Sequence, residues 1–310
     1  MTIDYVAFGL ILDNIRFPNG KEFPSVLGGG GPQVAFGMRL WSNQVGLIAG
    51  AGPDLPKTIL QWFDQSGIDR QGVHVGKQPT LQAVQNLDID GNRIQTWISD
   101  PAALYEYLSL SINQIPQTYQ KAKVFHLGVH PEDWENSLDF IHQLKKLGAL
   151  ISIELFKPAD KPLSLRSLRA LLKSANIFSL NQLEAYSLLG SKTDQELVEV
   201  LIENGGQLIS LRLGAEGSLV ANGRAKQIYF IPAFPVTVVD PTGAGNAFCG
   251  GFAVGWVETG DLLTAGLYGS VASSFAIEQM SVPIITSELI QSARKRVSQI
   301  RPSAWAMTKL

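Results

Sequence analysis

Short apolar runs alternate along most of this chain with longer segments whose apolar positions recur every three or four residues. The runs are "YVAFGLIL" from Tyr5, "VGLIAGAG" from Val45, "KVFHLGV" from Lys123, "ALISIEL" from Ala149, "NIFSLN" from Asn176 and "QLISLRLG" from Gln207. Each has strand length and is rich in branched or aromatic residues. Between them, "LPKTILQWFDQSG", "EDWENSLDFIHQLKKLG", "LRSLRALLKSA" and "DQELVEVLIENGG" carry helical spacing. Apolar strands alternating with amphipathic helices predict a mostly parallel sheet covered on both sides. Ligands on such sheets sit outside the carboxyl ends of the strands, so the loops after the strands are the place to look for chemistry.

Two stretches break the pattern. "TLQAVQNLDIDGNRIQTWISD" alternates around Asp90-Gly91, and "IRFPNGKEFPSVLGGGG" carries Asn19-Gly20 between short extended pieces. Both predict hairpins. They are too polar for the centre of a doubly covered sheet, and predict a small β lid over its open end that would exclude water. The lid segments fall at approximately 12–30 and 80–100 of a single 310-residue α/β domain.

Composition narrows the function classes. The net charge is -2 and the sequence pI about 6.1, with no basic stripe of the kind a nucleic-acid partner favours. No apolar run has bilayer-spanning length, and the N-terminal "MTIDYVAFGL" lacks a basic region before its apolar stretch, so it reads as a strand. The one cysteine, Cys249, excludes an internal disulfide framework and a multi-cysteine zinc site. These features predict a cytoplasmic protein without nucleic-acid or membrane partners.

The candidate chemistry centres on "VVDPTGAGNAFCGGF" from Val238. Gly243, Ala244 and Gly245 put unhindered backbone amides at a predicted helix N-terminus, where exposed N–H groups and the helix dipole favour an anion. A dinucleotide fingerprint does not fit, because the third glycine, Gly250, comes two positions late and no second strand comes after it. A Walker loop does not fit either, since the loop lacks a G-K-[ST]. The loop alone leaves two readings open: an anion cradle, or a glycine turn needed only for close packing. "HLGVH" places His126 and His130 around a strand end, with Glu132 and Asp133 just beyond. An i, i+4 pair shares a face only on a helix, so these histidines read as polar positions rather than metal ligands. Trp97 and Trp134 read as lid or core packing, and Cys249 as buried and inert.

"DPTGAGNAF" resembles the C-terminal signature of the ribokinase-like, or phosphofructokinase-B (pfkB), carbohydrate kinases, usually D-T-x-G-A-G-D. Asp240, Gly243, Ala244 and Gly245 match and Thr242 fills the open position; Pro241 departs, and Asn246 stands at the position of the catalytic base. Four further motifs occur in the family order. Gly9 and Asp13 resemble its G-x-x-x-x-D with one residue fewer between them, and the aspartate of that motif holds sugar hydroxyls. Gly28, Gly29, Gly31, Ala35 and Leu40 agree with the family's N-terminal region around its G-G-x-x-x-N-x-A signature, with Gln33 where an asparagine contacts the sugar. Asn181 and Glu184 resemble N-x-x-E, which organises magnesium and phosphate. Arg212, Gly214 and Gly217 resemble the nucleotide-side turn, and Glu154 stands where an aspartate-led segment is usual.

This resemblance implies a ribokinase-like three-layer sandwich with a small β lid, using ATP and Mg2+ to phosphorylate a hydroxyl of a sugar, nucleoside or related small molecule. Asp13, Gly28, Gly29 and Gln33 would hold the acceptor. Gly243, Ala244 and Gly245 would cradle the phosphoryl group. Arg212, Gly214, Gly217 and Thr242 would lie on the nucleotide side. Asn181 and Glu184 would act on magnesium through water. Asn246 accepts a hydrogen bond but takes no proton, and loss of a general base costs about 10²–10⁴-fold. Two expectations therefore stand: a kinase of impaired turnover, or a catalytically inactive sugar- or nucleotide-binding or regulatory protein on the same scaffold. The lid also suggests a homodimer contact.

Overall fold

The computed structural model describes residues 2–89, 93–109 and 111–307. Its first strands are β1 (Tyr5–Phe8), β2 (Ile11–Arg16), β3 (Glu22–Gly28), β4 (Val45–Ala51), β5 (Asp69–Val75), β6 (Gln82–Leu87) and β7 (Arg93–Trp97). The others are β8 (Val124–Val129), β9 (Leu150–Leu155), β10 (Ile177–Asn181), β11 (Leu208–Arg212), β12 (Gly217–Asn222), β13 (Gln227–Pro232) and β14 (Trp305–Ala306). The α-helices are α1 (Gly30–Arg39), α2 (Lys57–Ser66), α3 (Pro101–Leu108), α4 (Leu138–Lys146) and α5 (Leu165–Ser174), then α6 (Gln182–Leu189), α7 (Asp194–Glu203), α8 (Ala244–Thr259), α9 (Leu262–Ala276) and α10 (Ser287–Ile300).

Among the described residues, one sheet has the order β14-β13-β12-β11-β10-β9-β8-β1-β4-β5. Every pairing from β11 to β5 is parallel, and β12, β13 and β14 extend that sheet antiparallel. Strand alternation divides its side chains between two cores. Tyr5, Ala7, Val45 and Leu47 join α1, α2, α8 and α9 on one face, while Val6, Ile48, Phe125 and Ile151 join α4, α5, α6 and α7 on the other. Burial on both faces explains why the central strands read as continuous apolar runs.

The apolar run from Tyr5 is two strands rather than one. Gly9, at φ 89°, turns the chain out of the main sheet after β1, and β2 begins a second sheet of order β3-β2-β6-β7. This is the predicted lid, built from the β2–β3 and β6–β7 hairpins joined by a parallel β2–β6 pairing. The predicted Asp90-Gly91 turn lies outside the described residues. Val238 and Val239, which lead into the glycine loop, are exposed and belong to neither sheet.

Helix α1 crosses α8 at backbone contact, and this sets the position of the loops at their ends. A Cβ on Gly250 would land on the carbonyl oxygen of Val34, so glycine there permits the approach. The two helices thereby bring their N-termini to the same end of the sheet, the carboxyl end of the parallel strands.

Candidate active site

The chain reaches this end of the sheet from six elements. Asp13 lies in β2 of the lid, Gln33 in the first turns of α1, Glu154 near the end of β9, Asn181 and Arg212 at the ends of β10 and β11, and Gly243 at the start of α8.

On the lid side, Asp13 is buried and its Oδ1 accepts a hydrogen bond from Gln85 Nε2 at 2.7 Å. Gln85 also reaches Gln95 Oε1 at 3.0 Å, forming a polar row across β2, β6 and β7. Gly28, in the neighbouring β3, makes room for Asp13, since a Cβ there would land on its carboxylate. Gly29 forms the turn into α1 as its N-cap. Gln85 has no counterpart among the motifs, so the sequence offered no signal for it beyond its place in the lid.

On the helix side, Gly243 is the N-cap of α8 at φ 86°, and no side chain caps that end. Gln33 is buried with its side-chain amide against Gly243, and its Oε1 has no hydrogen-bond partner among the described residues. Thr242 Oγ1 is likewise buried without a partner, while its backbone N–H donates to Asp240 Oδ1 at 2.9 Å. An uncapped helix start with the Thr242 hydroxyl beside it fits an anionic group, while the Gln33 Oε1, which only accepts, fits a hydroxyl donor.

Beneath this loop lies a buried charge cluster. Arg212 Nη1 pairs with Glu154 Oε2 at 3.1 Å, and its Nη2 with Glu184 Oε2 at 3.4 Å. Glu154 also contacts His126 Nε2 at 3.3 Å, accepts from Cys249 Sγ at 3.4 Å, and accepts from the Asn246 Nδ2 amide. Burial alone would raise the Glu154 pKa, but the His126 imidazole and the Arg212 guanidinium overrule it and hold it well below the usual carboxylate range. Burial alone would lower that of Arg212; Cys249 and the two carboxylates hold it raised instead. Cys249 is pushed up, by burial first and then by Glu154, which keeps it an inert thiol.

His126, Glu154 and Cys249 bring ligand atoms within 4.8 Å of one another. Arg212 Nη1, however, lies 3.1 Å from Glu154 and 3.3 Å from Cys249, so a guanidinium already fills the place of a cation. The trio surrounds the Glu154–Arg212 ion pair, and His126 is an interior strand residue held by Ser152 Oγ at 2.9 Å.

The structure brings Gln33 against Gly243 and Asn181 against Glu184, and gives others of the expected site residues different partners. Arg212, expected on the nucleotide side, turns its guanidinium inward beneath Gly245, where a Cβ would come within 2.6 Å of Nη1. Gly214 and Gly217 shape the tight turn between β11 and β12. Asn181 and Glu184 form a reciprocal capping box at the start of α6. Glu184 Oε2 accepts from the Asn181 N–H at 2.7 Å, and Oε1 from Asn181 Nδ2 at 2.8 Å. The contact between Glu154 and Asn246 is one that the motifs do not predict. Both positions depart from the family pattern, and that shared departure is the available signal.

The pfkB family of carbohydrate kinases matches residues 2–288. This chain belongs to that family. The pfkB chain is 29% identical over 258 residues to the cytidine kinase of Thermococcus kodakarensis, covering 82% of this chain and 88% of that one. It is 29% identical over 288 residues to the ribokinase of Lactococcus lactis, covering 89% and 90%. Its fold superimposes on the fructokinase of Vibrio cholerae, solved with fructose, ADP and calcium, with a TM-score of 0.73, 20% identity and coverage of 94% and 98%. The ribokinase-like fold therefore holds across nearly the whole pfkB chain. Among the described residues, no helix is long and apolar enough to cross a membrane.

Proposed function

We propose that this protein transfers a phosphoryl group from ATP to a hydroxyl of a sugar or nucleoside held between the lid and the start of α8. The observation that carries this reading is the uncapped N-terminus of α8 facing Gln33, with the unpaired Thr242 hydroxyl beside it and Asp13 in the lid sheet. Likeness to a cytidine kinase and a ribokinase supports a sugar or nucleoside acceptor. When bound, ATP supplies the phosphoryl group and Mg2+ neutralises its charge.

The residues divide this work. Asp13 accepts hydrogen bonds from acceptor hydroxyls, and Gln33, whose Oε1 is unpaired, adds a polar contact. The backbone amides of Gly243, Ala244 and Gly245 stabilise charge that develops on the transferred group, without reorganising. Gly214, Gly217 and Thr242 line the nucleotide side. Arg212 supports the loop from below and does not face the nucleotide. Asn181 and Glu184 have their polar groups engaged in the capping box and with Arg212, so they would act on Mg2+ only through its water shell. Asn246 orients the attacking hydroxyl by accepting its hydrogen bond. The proton then leaves to solvent or to the phosphate, and positioning supplies most of the catalysis.

A second reading rests on Asn246. No carboxylate stands at the base position, and a protein that binds sugar or nucleotide without turnover would have this arrangement. ATP consumption by the wild-type protein across a panel of sugars and nucleosides separates the two. Turnover above background with one acceptor class supports the kinase, whereas binding by thermal shift with no turnover anywhere supports the second reading.

The β7 strand at the lid edge exposes Ile94 and Trp97, with Ile98 just beyond it. We propose that this edge pairs with a second copy, which light scattering tests: a strictly monomeric protein removes the idea. A cytoplasmic setting fits the need for ATP.

A further inference from the structure

Glu154 is 4% exposed at the end of a central strand, yet it is fully engaged. His126 approaches it from β8, Arg212 from β11, and Cys249 and Asn246 from α8. Glu184 of α6 shares the same guanidinium from its other side. A Cβ on Gly30, the first residue of α1, would lie 3.2 Å from Asn246 Nδ2 and 3.6 Å from Glu154 Oε1, so a second helix N-terminus closes over the pair.

An ionised carboxylate only accepts hydrogen bonds, so the end of Asn246 that meets Glu154 must be its NH2 group. The amide oxygen of Asn246 is then the end turned away from Glu154. An aspartate at 246 would instead set two carboxylates in direct contact, with one guanidinium already shared between Glu154 and Glu184. Like charges at that separation do not both ionise.

We propose that Glu154 is the positioning residue for Asn246: it fixes the amide so that Oδ1 serves as the hydroxyl acceptor, and it makes asparagine, not aspartate, the residue this site accommodates. The consequence is specific. Restoring an aspartate at 246 alone does not restore a general base, because the new carboxylate shares a proton with Glu154. Removing the Glu154 charge at the same time does restore one.

The experiment uses wild type, Asn246→Asp, Glu154→Gln and the double variant Asn246→Asp/Glu154→Gln, melted across pH 5 to 8. The aspartate variant should lose stability relative to wild type as pH rises, by about 3 °C or more, because a carboxyl forced to stay protonated weakens the fold once its unfolded form ionises. The double variant should lack that pH-dependent loss and melt above the single aspartate variant at pH 8. An aspartate variant that folds only when Glu154→Gln accompanies it supports the pairing equally. A single aspartate variant that tracks wild type at every pH, or a double variant no better than it, overturns the proposal.

This melting test needs no turnover, so it stands apart from the phosphotransfer reading. The part of the proposal concerning Oδ1 rests on that reading and has its own readout. If the wild type turns over, Glu154→Gln should raise the acceptor KM about tenfold and lower kcat less, and the double variant should exceed Asn246→Asp in kcat with a new acid limb in its pH profile. Equal kcat in those two variants overturns that part.

Discussion

The side-chain amide of Gln33 lies directly against the α-carbon of Gly243, so that the first turns of α1 seal the start of α8. In the proposed function, this contact joins the acceptor side of the cleft to its anion loop. It also makes glycine necessary at 243 twice over, through the left-handed φ of 86° and through the absence of space for a Cβ.

Gly243→Ala should therefore cost more than backbone strain alone. Strain in the left-handed region and overpacking each cost about 1–3 kcal/mol. The fold has a large core and should survive, but with a lower melting temperature and loss of nucleotide binding. Thermal melts with and without ATP check both. Gln33→Asn, one methylene shorter, withdraws the amide from Gly243 and should change acceptor KM while leaving the melting temperature within a few degrees.

Arg212→Met tests whether the guanidinium supports the fold beneath the loop. It would leave Glu154 and Glu184 buried without their shared cation, and breaking a buried pair costs about 3–5 kcal/mol. A fall of that size in chemical denaturation is the expected outcome. A small loss of stability with a large loss of ATP affinity would instead assign Arg212 to the nucleotide.

The Glu154 cluster also sets an acid limit. Its carboxyl is held below the ordinary glutamate value of 4.5, at about 2, so the folded state binds fewer protons than the unfolded chain. That stability is fully present above about 4.5 and is lost as pH falls toward about 2. Acid titration followed by tryptophan fluorescence should show Glu154→Gln less stable than wild type at neutral pH. The difference between them should shrink as the pH is lowered through this window.

Much of this architecture is legible in the sequence because the central strands are buried on both faces and have to be apolar throughout. The polar edge strand β5, "DRQGVHV", lacks that constraint and escapes it, and β12, "GSLVAN", escapes although it is buried on both faces, because its apolar run is only three residues long. The break at Gly9 escapes for a different reason: apolar residues continue across it, and only the positive φ marks where the chain leaves one sheet for the other. Within the site, Asp13, Gln33, Gly243 and Asn246 are recognisable as types in a motif order. Their contacts are not, because Glu154 and Asn246 stand 92 residues apart and meet only when β9 and α8 are packed together. The same holds for Arg212, whose position in a turn motif suggests a nucleotide contact until the two buried carboxylates are seen on either side of it.

Asp13→Asn separates substrate binding from stability on the lid side. Asp13 is 2% exposed, and Gly28 leaves its carboxylate space that an isosteric amide can also occupy. The contact with Gln85 Nε2 can be kept through the asparagine Oδ1, so the lid sheet should stay intact and the melting temperature should change little. What the substitution removes is one acceptor for a hydroxyl and the charge that strengthens the other. A hydrogen bond to a charged group contributes about 1.5–3 kcal/mol, which corresponds to roughly 10- to 100-fold in acceptor affinity. Titrating the acceptor identified in the turnover panel, by calorimetry or by KM, should show a loss of that order with ATP binding unchanged. Unaltered acceptor affinity would place the acceptor away from the lid, and a collapse in melting temperature would make Asp13 a structural residue of the β2–β6 pairing instead.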